Sequence, residues 1–287
     1  MPFPADRVGL SLSPIDTTLD ARSILAYAAG LGASEPAFLD DAAPGGLKAL
    51  PFQCVSPEWP VVQSLRESLS DRLSAEEARG GVHAVQDSHF HRPMAPGDQL
   101  TTSGQLVSAR QIRSGVLVIC RLETRDRISG DLVTTSWTSS VYRDVVLDGE
   151  EAALVAPPDR GAAGPLSESA ASTRIVIPRG MPHVYSECAD IWNPIHTERA
   201  VALAAGLPDI ILHGTATWAL AGLTVLRSYA DCDVTKLARM TGRFTGMVIP
   251  GDEIVIRHEK GAGDMVLFEV LTTSGAPAIS QGAAWLR

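Results

Sequence analysis

Apolar and β-branched residues alternate with polar ones along three stretches in the first half of the chain, 99–107, 115–124 and 132–142. They do so along three more in the second half, 253–258, 265–272 and 278–286. A period of two marks strands with one buried face, so each trio predicts an antiparallel meander. Ahead of each trio the pattern is helical, over 19–29 and 59–73 and then over 197–205 and 215–230. The last of these is apolar on nearly every face from Trp218 to Leu226. Such a helix is enclosed rather than laid on a surface, so a curved sheet wrapped around it is the economical architecture. The halves also match in outline: Phe90, Pro96, Gly97 and Asp98 recur as Phe244, Pro250, Gly251 and Asp252, each displaced by 154 residues. The pattern predicts an α+β fold of two tandem repeats, 1–147 and 172–287. A linker at 148–171, rich in Ala, Gly, Pro and Glu and containing Pro157-Pro158, joins them.

Composition narrows the partners. At 287 residues the chain has ample material for a core, and its net charge of -9 with a pI near 5.2 argues against a nucleic-acid surface. Its four cysteines are too widely spaced for a paired-ligand zinc site or a disulfide framework. No apolar run has the length of a membrane span, and the start Met-Pro-Phe-Pro-Ala-Asp has no basic region followed by an apolar one. The C-terminal Ala-Trp-Leu-Arg is not a peroxisomal address. A soluble cytoplasmic chain, without nucleic-acid or membrane partners, is the expectation.

Candidate chemistry concentrates between Tyr185 and Gly214. Asn193 before Pro194 reads as an N-cap and a first helical residue, because the Asn side chain accepts from an orphan amide and proline has none to lose. His196 then falls in the first helical turn, where a neutral imidazole can transfer protons near neutral pH, and Asp190 is its candidate partner. Gly214 opens the enclosed helix, and the His213 before it reads as a structural hydrogen-bonding residue. The plainer alternative is a helix start with a solvated histidine. His83, His89 and His91 invite a metal reading, but Phe90-His91-Arg92-Pro93 matches the repeat's sheet entry, and we assign no metal. Lys236, Arg239 and Arg243 gather where phosphates could be met, although a solvated charged face explains them equally.

Tyr-x4-Asp, Asn-Pro-Ile-His, Ile-Leu-His-Gly and Arg-Phe-x5-Pro-Gly in the second half resemble the motifs of the MaoC-like hydratases of the hot-dog superfamily. Leu50-Pro51, Val82 to Gln86, Pro96-Gly97-Asp98 and Ser114-Gly115-Val116 resemble their non-catalytic first repeat. The chain is most similar to the double-hot-dog (R)-specific enoyl-CoA hydratases, known as hydratase 2. The resemblance implies two hot-dog folds, each an antiparallel sheet around a central helix, with the second repeat catalytic and the first opening a channel for the acyl tail. It also implies that Asp190, Asn193 and His196 activate water and that the Gly214 amide meets the thioester oxygen. His83, Phe244 and Arg113 fall where the family contacts substrate or coenzyme A, and Trp192 matches the residue before the Asn.

One position departs from the family pattern Ser-Gly-Asp-x-Asn-Pro-x-His. Counting back from His196 without a gap puts Ile191 at the carboxylate position; a one-residue bulge returns Asp190 to it, and the Tyr185-to-Asp190 interval favours the bulge. The implied activity is hydration of a trans-2-enoyl thioester to its (3R)-hydroxy partner, or the reverse, with no metal or redox cofactor. The carrier is coenzyme A or an acyl-carrier protein. Two alternatives stand: a branched or dicarboxylic substrate of mesaconyl or itaconyl type, and a catalytically silent thioester-binding protein. Family analogy further implies a homodimer.

Overall fold

The computed structural model describes residues 2–74, 77, 80–160 and 164–287. Residues 161–163 of the expected linker lie outside them. In chain order the elements are β1 (Phe3–Pro4), β2 (Ser11–Thr18), α1 (Ala21–Gly30), α2 (Pro36–Leu39), a 3-10 turn (Pro51–Cys54), α3 (Val55–Ser68), β3 (Gly81–Phe90), β4 (Gln99–Ile112), β5 (Gly115–Asp126), β6 (Leu132–Arg143), β7 (Leu147–Asp148) and β8 (Ala152–Ala153). The second half adds β9 (Ala171–Val176), α4 (Met181–Ala189), a 3-10 turn (Pro194–His196), α5 (Arg199–Ala204), α6 (Gly214–Tyr229), a 3-10 turn (Val234–Lys236), β10 (Leu237–Phe244), β11 (Glu253–Lys260), β12 (Met265–Leu271) and β13 (Pro277–Leu286). No helix among the described residues is long and apolar enough to cross a membrane.

Ten of the strands follow one another across a single sheet in the order β2-β4-β5-β6-β3-β10-β13-β12-β11-β9. Each half contributes five, in the same order read outward from the β3–β10 junction, where the strands run antiparallel. Asp87 pairs with Thr241 there, and these residues are separated by the same 154 positions as the sequence repeat. A pseudo-twofold axis therefore passes through that pair. The turns repeat in detail: Gly97 and Gly251 both have positive φ, at 92° and 103°, which glycine adopts without steric cost. Gly97 N donates to Leu19 O at 2.8 Å as Gly251 N does to Ile177 O at 2.7 Å. The architecture is a double hot dog.

The sheet curls around α6, whose Trp218, Leu220, Leu223 and Leu226 are buried with Phe52, Phe268 and Ile254 in one core spanning both halves. Full burial of each such side chain contributes roughly 1.5–3 kcal/mol, so this seam holds the repeats together. Gly222 lets Phe52 cross α6, since a Cβ there would lie 2.1 Å from its ring. A buried ion pair reinforces the junction: Arg239 donates from Nε and Nη2 to the Asp87 carboxylate at 2.9 and 2.7 Å and lies over the Trp285 ring.

The predicted meanders are present, with strands extended by a few residues. The helical stretch 197–205 is only α5, and a longer helix, α4, comes before it. Strands β3 and β10 also went unread. β3 buries Gln86, Asp87 and Ser88, each with a polar partner, so no apolar alternation advertises it.

Candidate active site

The loop from α4 to α6 builds the site. Helix α4 ends with Asp190 in the left-handed conformation at φ 53°, and the Ile191 amide turns back to Ser186 O at 3.0 Å while its side chain enters the core. The first repeat ends α1 the same way, with Gly32 at φ 73° and the Ala33 amide on Ala28 O at 3.0 Å. This is a helix C-terminal motif in which the residue after the left-handed one packs inward. Asp190 is consequently exposed, and among the described residues its carboxylate makes no hydrogen bond or ion pair, with His196 or any other group. Trp192 is 55% exposed. Asn193 is an N-cap, its Oδ1 accepting from Ile195 N at 3.4 Å, but it caps the short 3-10 turn rather than a full helix.

That turn sets His196 against the strand-like segment before α6. Its Nδ1 lies 2.8 Å from Ile211 O, and because a carbonyl only accepts, Nδ1 carries the proton and Nε2 is left as an unprotonated acceptor. The ring stacks on His213 with centroids 3.7 Å apart and planes at 24°. His213 is buried, its Nε2 3.1 Å from Ser186 Oγ and 3.3 Å from Ile191 O, and the Tyr185 ring lies 5.0 Å away on α4. Burial pushes His196 down to about 4; burial, and secondarily the charge His196 would carry, pushes His213 down to about 2. Both rings are neutral at pH 7.

Gly214 follows as the first residue of α6, where backbone amides have no partner within the helix. A Cβ on Gly214 would lie 3.2 Å from the Phe244 ring, so glycine is what lets that ring close over the helix start. Phe244 in turn meets His83 of the first repeat, with ring centroids 4.6 Å apart. His83 Nε2 sits 3.1 Å from Val85 O and 3.0 Å from Thr138 Oγ1, and burial lowers it to about 4. The fold thus brings His83, Phe244, Gly214, His213 and His196 into one line of contacts drawn from both repeats. Arg113 stands outside it, exposed at the tip of the β4–β5 hairpin. Arg239 is held by Asp87 and Lys236 pairs with Asp231 at 3.1 Å, while Arg243 of that basic group is exposed and has no ion pair among the described residues.

Sequence reasoning set His213 aside and passed over Ser186 and the Ile191 carbonyl. The His-Gly dipeptide at a helix start was the available signal for the first. The other two act through a hydroxyl and a backbone oxygen that no motif marks. The assembled groups, a neutral imidazole with one free nitrogen beside the positive end of an enclosed helix, can accept a proton and stabilise a developing oxyanion.

The chain is similar to known proteins over nearly its whole length. Residues 188–277 match the MaoC like domain, and residues 6–136 match the FAS1-like dehydratase domain region. The chain is 25% identical to an enoyl-CoA hydratase of Mycobacterium tuberculosis over 98% of both chains. It is also 25% identical to that organism's 3-hydroxyacyl-thioester dehydratase Y, over 97% of this chain and 95% of the relative. A MaoC-like dehydratase from Phytophthora capsici superposes with a TM-score of 0.85 at 20% identity, covering 98% of each chain.

Proposed function

We propose, from the match of residues 188–277 to the MaoC like domain, that the chain hydrates a trans-2-enoyl thioester to the (3R)-3-hydroxyacyl thioester, or runs the reverse dehydration. The observation that carries this reading is His196, with Nδ1 tied to Ile211 O and Nε2 free, two links of contact from the Gly214 helix start.

The chemistry follows. The thioester oxygen receives the Gly214 amide. As the oxygen of water bonds to C3, His196 Nε2 takes one water proton, and the electron pair of the C2–C3 double bond moves to C2 and onto the thioester oxygen as an enolate. The helix dipole and the amide stabilise that charge. His196, now an imidazolium and a strong acid because it is buried, returns the proton to C2. Water is added in full, with no electron gained or lost. Asn193 holds the turn that carries His196. The exposed carboxylate of Asp190 supports a peripheral place for that residue rather than a share in the transfer. In the first repeat, Ala49 N donates to Met94 O at 2.8 Å where Leu212 N donates to Val248 O at 2.9 Å, so Pro51 stands where Gly214 does. Proline has no amide to offer, which supports one site per chain, with His83 and Phe244 walling it from the junction.

The relative named as an enoyl-CoA hydratase favours coenzyme A as carrier. The burial of Ile191 favours a second reading, a thioester-binding protein without turnover. Crotonyl-CoA hydration separates them. The wild type is expected to turn over, His196→Asn to lose roughly 10²- to 10⁴-fold in kcat, and Asp190→Asn to stay within a few-fold. A wild type that binds acyl-CoA without hydrating it establishes the second reading.

A further inference from the structure

Of the two imidazoles in the stack, only His196 has a free nitrogen in a place to transfer a proton, yet His213 is the more heavily constrained. It is buried, wedged between the His196 ring at 3.7 Å and the Tyr185 ring at 5.0 Å, and anchored by Nε2 on Ser186 Oγ and the Ile191 carbonyl. Its Nδ1 has no partner among the described residues. Tyr185 reaches across the repeat junction, its hydroxyl 3.4 Å from that of Tyr27 on α1, so the wedge is braced from both repeats.

We propose that His213 is a positioning residue for the reaction proposed above: anchored through Ser186 and Ile191, its ring holds the plane of His196 so that Nδ1 stays on Ile211 O and Nε2 alone is presented for proton transfer. Ile191 thereby gains a role at the position where the family pattern has a carboxylate. It supplies no acid or base, and its backbone oxygen fixes the ring that fixes the base. Such support is what keeps a reacting group within the narrow range of angles that transfer requires. Stacking also opposes protonation of His196, since a cation there would face a second imidazole instead of water. The other ionisable groups on the flanking elements are His183, Tyr185, Glu187 and Cys188 on α4, Asp190 after it, and Glu198, Arg199 and Asp209 around α5. Among the described residues none hydrogen-bonds to either ring, His183 being on Thr197 O and Arg199 on Asp209.

The test reads His196 directly, by NMR of the full chain carrying nitrogen-15 histidine, beside crotonyl-CoA kinetics across pH. Wild-type His196 is expected as the Nδ1-protonated tautomer, titrating far below the usual ~6.5. His213→Phe keeps a ring in the stack but loses both anchors, and it is expected to raise the His196 midpoint by less than His213→Asn does. His213→Asn can keep the bond to Ile191 O but loses the stack. It is expected to raise the His196 midpoint by about a unit or more, move the acid limb of the kcat profile with it, and lower kcat by at least about tenfold while KM changes little. Ser186→Ala, a change small enough to fold whatever His213→Asn does, is expected to shift the midpoint in the same direction by less. An unchanged His196 tautomer and midpoint in both His213→Asn and Ser186→Ala overturns the proposal, as does an equal shift in His213→Phe and His213→Asn. A wild type without turnover overturns the functional reading, while the tautomer and titration still decide the role of His213.

Discussion

Glu58 on α3 is buried against β3 and β6, where it accepts from Gln86 Nε2 at 3.1 Å and from Ser136 Oγ, with no cation on its carboxylate. Burial pushes it up to about 7. Its stabilising share is therefore complete below the unfolded carboxylate value of about 4.5 and is lost as pH rises from there to about 7. His83 and His196 act in the opposite direction: both are held neutral at about 4, so their share is complete above about 6.5 and is lost as pH falls toward 4. Urea unfolding at pH 5 and pH 8 separates the two effects. Relative to wild type, Glu58→Gln is expected to gain roughly 2–3 kcal/mol between those pH values, because glutamine carries no charge to desolvate. A difference that does not change with pH rules out the buried-carboxylate account. Nothing in Ser-Pro-Glu-Trp-Pro reads as buried; Gln86 and Ser136, 28 and 78 positions away, create that environment.

At the scale of elements, the end of α4 carries the position on which the functional reading turned. The sequence admitted two registers for Asp190 and Ile191, and the twin geometry at Gly32 and Ala33 shows what the backbone asks of each residue, the first turning left-handed and the second packing inward. Glycine serves the left-handed position better than aspartate. Asp190→Gly is expected to raise stability by roughly 0.5–1 kcal/mol in thermal denaturation while keeping crotonyl-CoA turnover within a few-fold. Loss of turnover in this stabilised variant returns the carboxylate to the mechanism. Helix α4 itself escaped notice because Pro182 and the dense motif residues behind it drew the reading toward a loop, although Met181, Tyr185 and Ala189 bury one face at intervals of four. The strongly apolar α6 and the six alternating strands were legible because their partners matter less than their own periodicity.

For the whole molecule, the junction of the repeats is the decisive feature. The Asp87–Arg239 pair lies beside the pseudo-twofold axis, with the carboxylate 2% and the guanidinium 13% exposed. Removing one member leaves the other charged and buried. Asp87→Ala is expected to cost about 3–5 kcal/mol of unfolding free energy, against less than about 1 kcal/mol for Glu253→Ala, whose partner Arg174 is exposed. Urea unfolding of the two variants checks the contrast. Similar small losses in both would mean that the junction rests on its apolar seam alone. Arg239 had been read as a candidate phosphate ligand, a reading its contact with a residue 152 positions away removes.

The chain's own pattern determined the duplication, the meanders, the enclosed helix and the short stretch in which the chemistry lies. Those signals are local: periodicity, turn glycines and motif spacing act over a few residues and survive without knowledge of neighbours. Tertiary structure alone decided that Phe244 closes over Gly214 and meets His83 from across the junction, that His213 stacks on His196, and that Asp190 faces water while Ile191 enters the core. Each of these depends on which distant residue occupies the adjoining space and on one backbone angle at a helix end, and neither is written in the spacing of a motif.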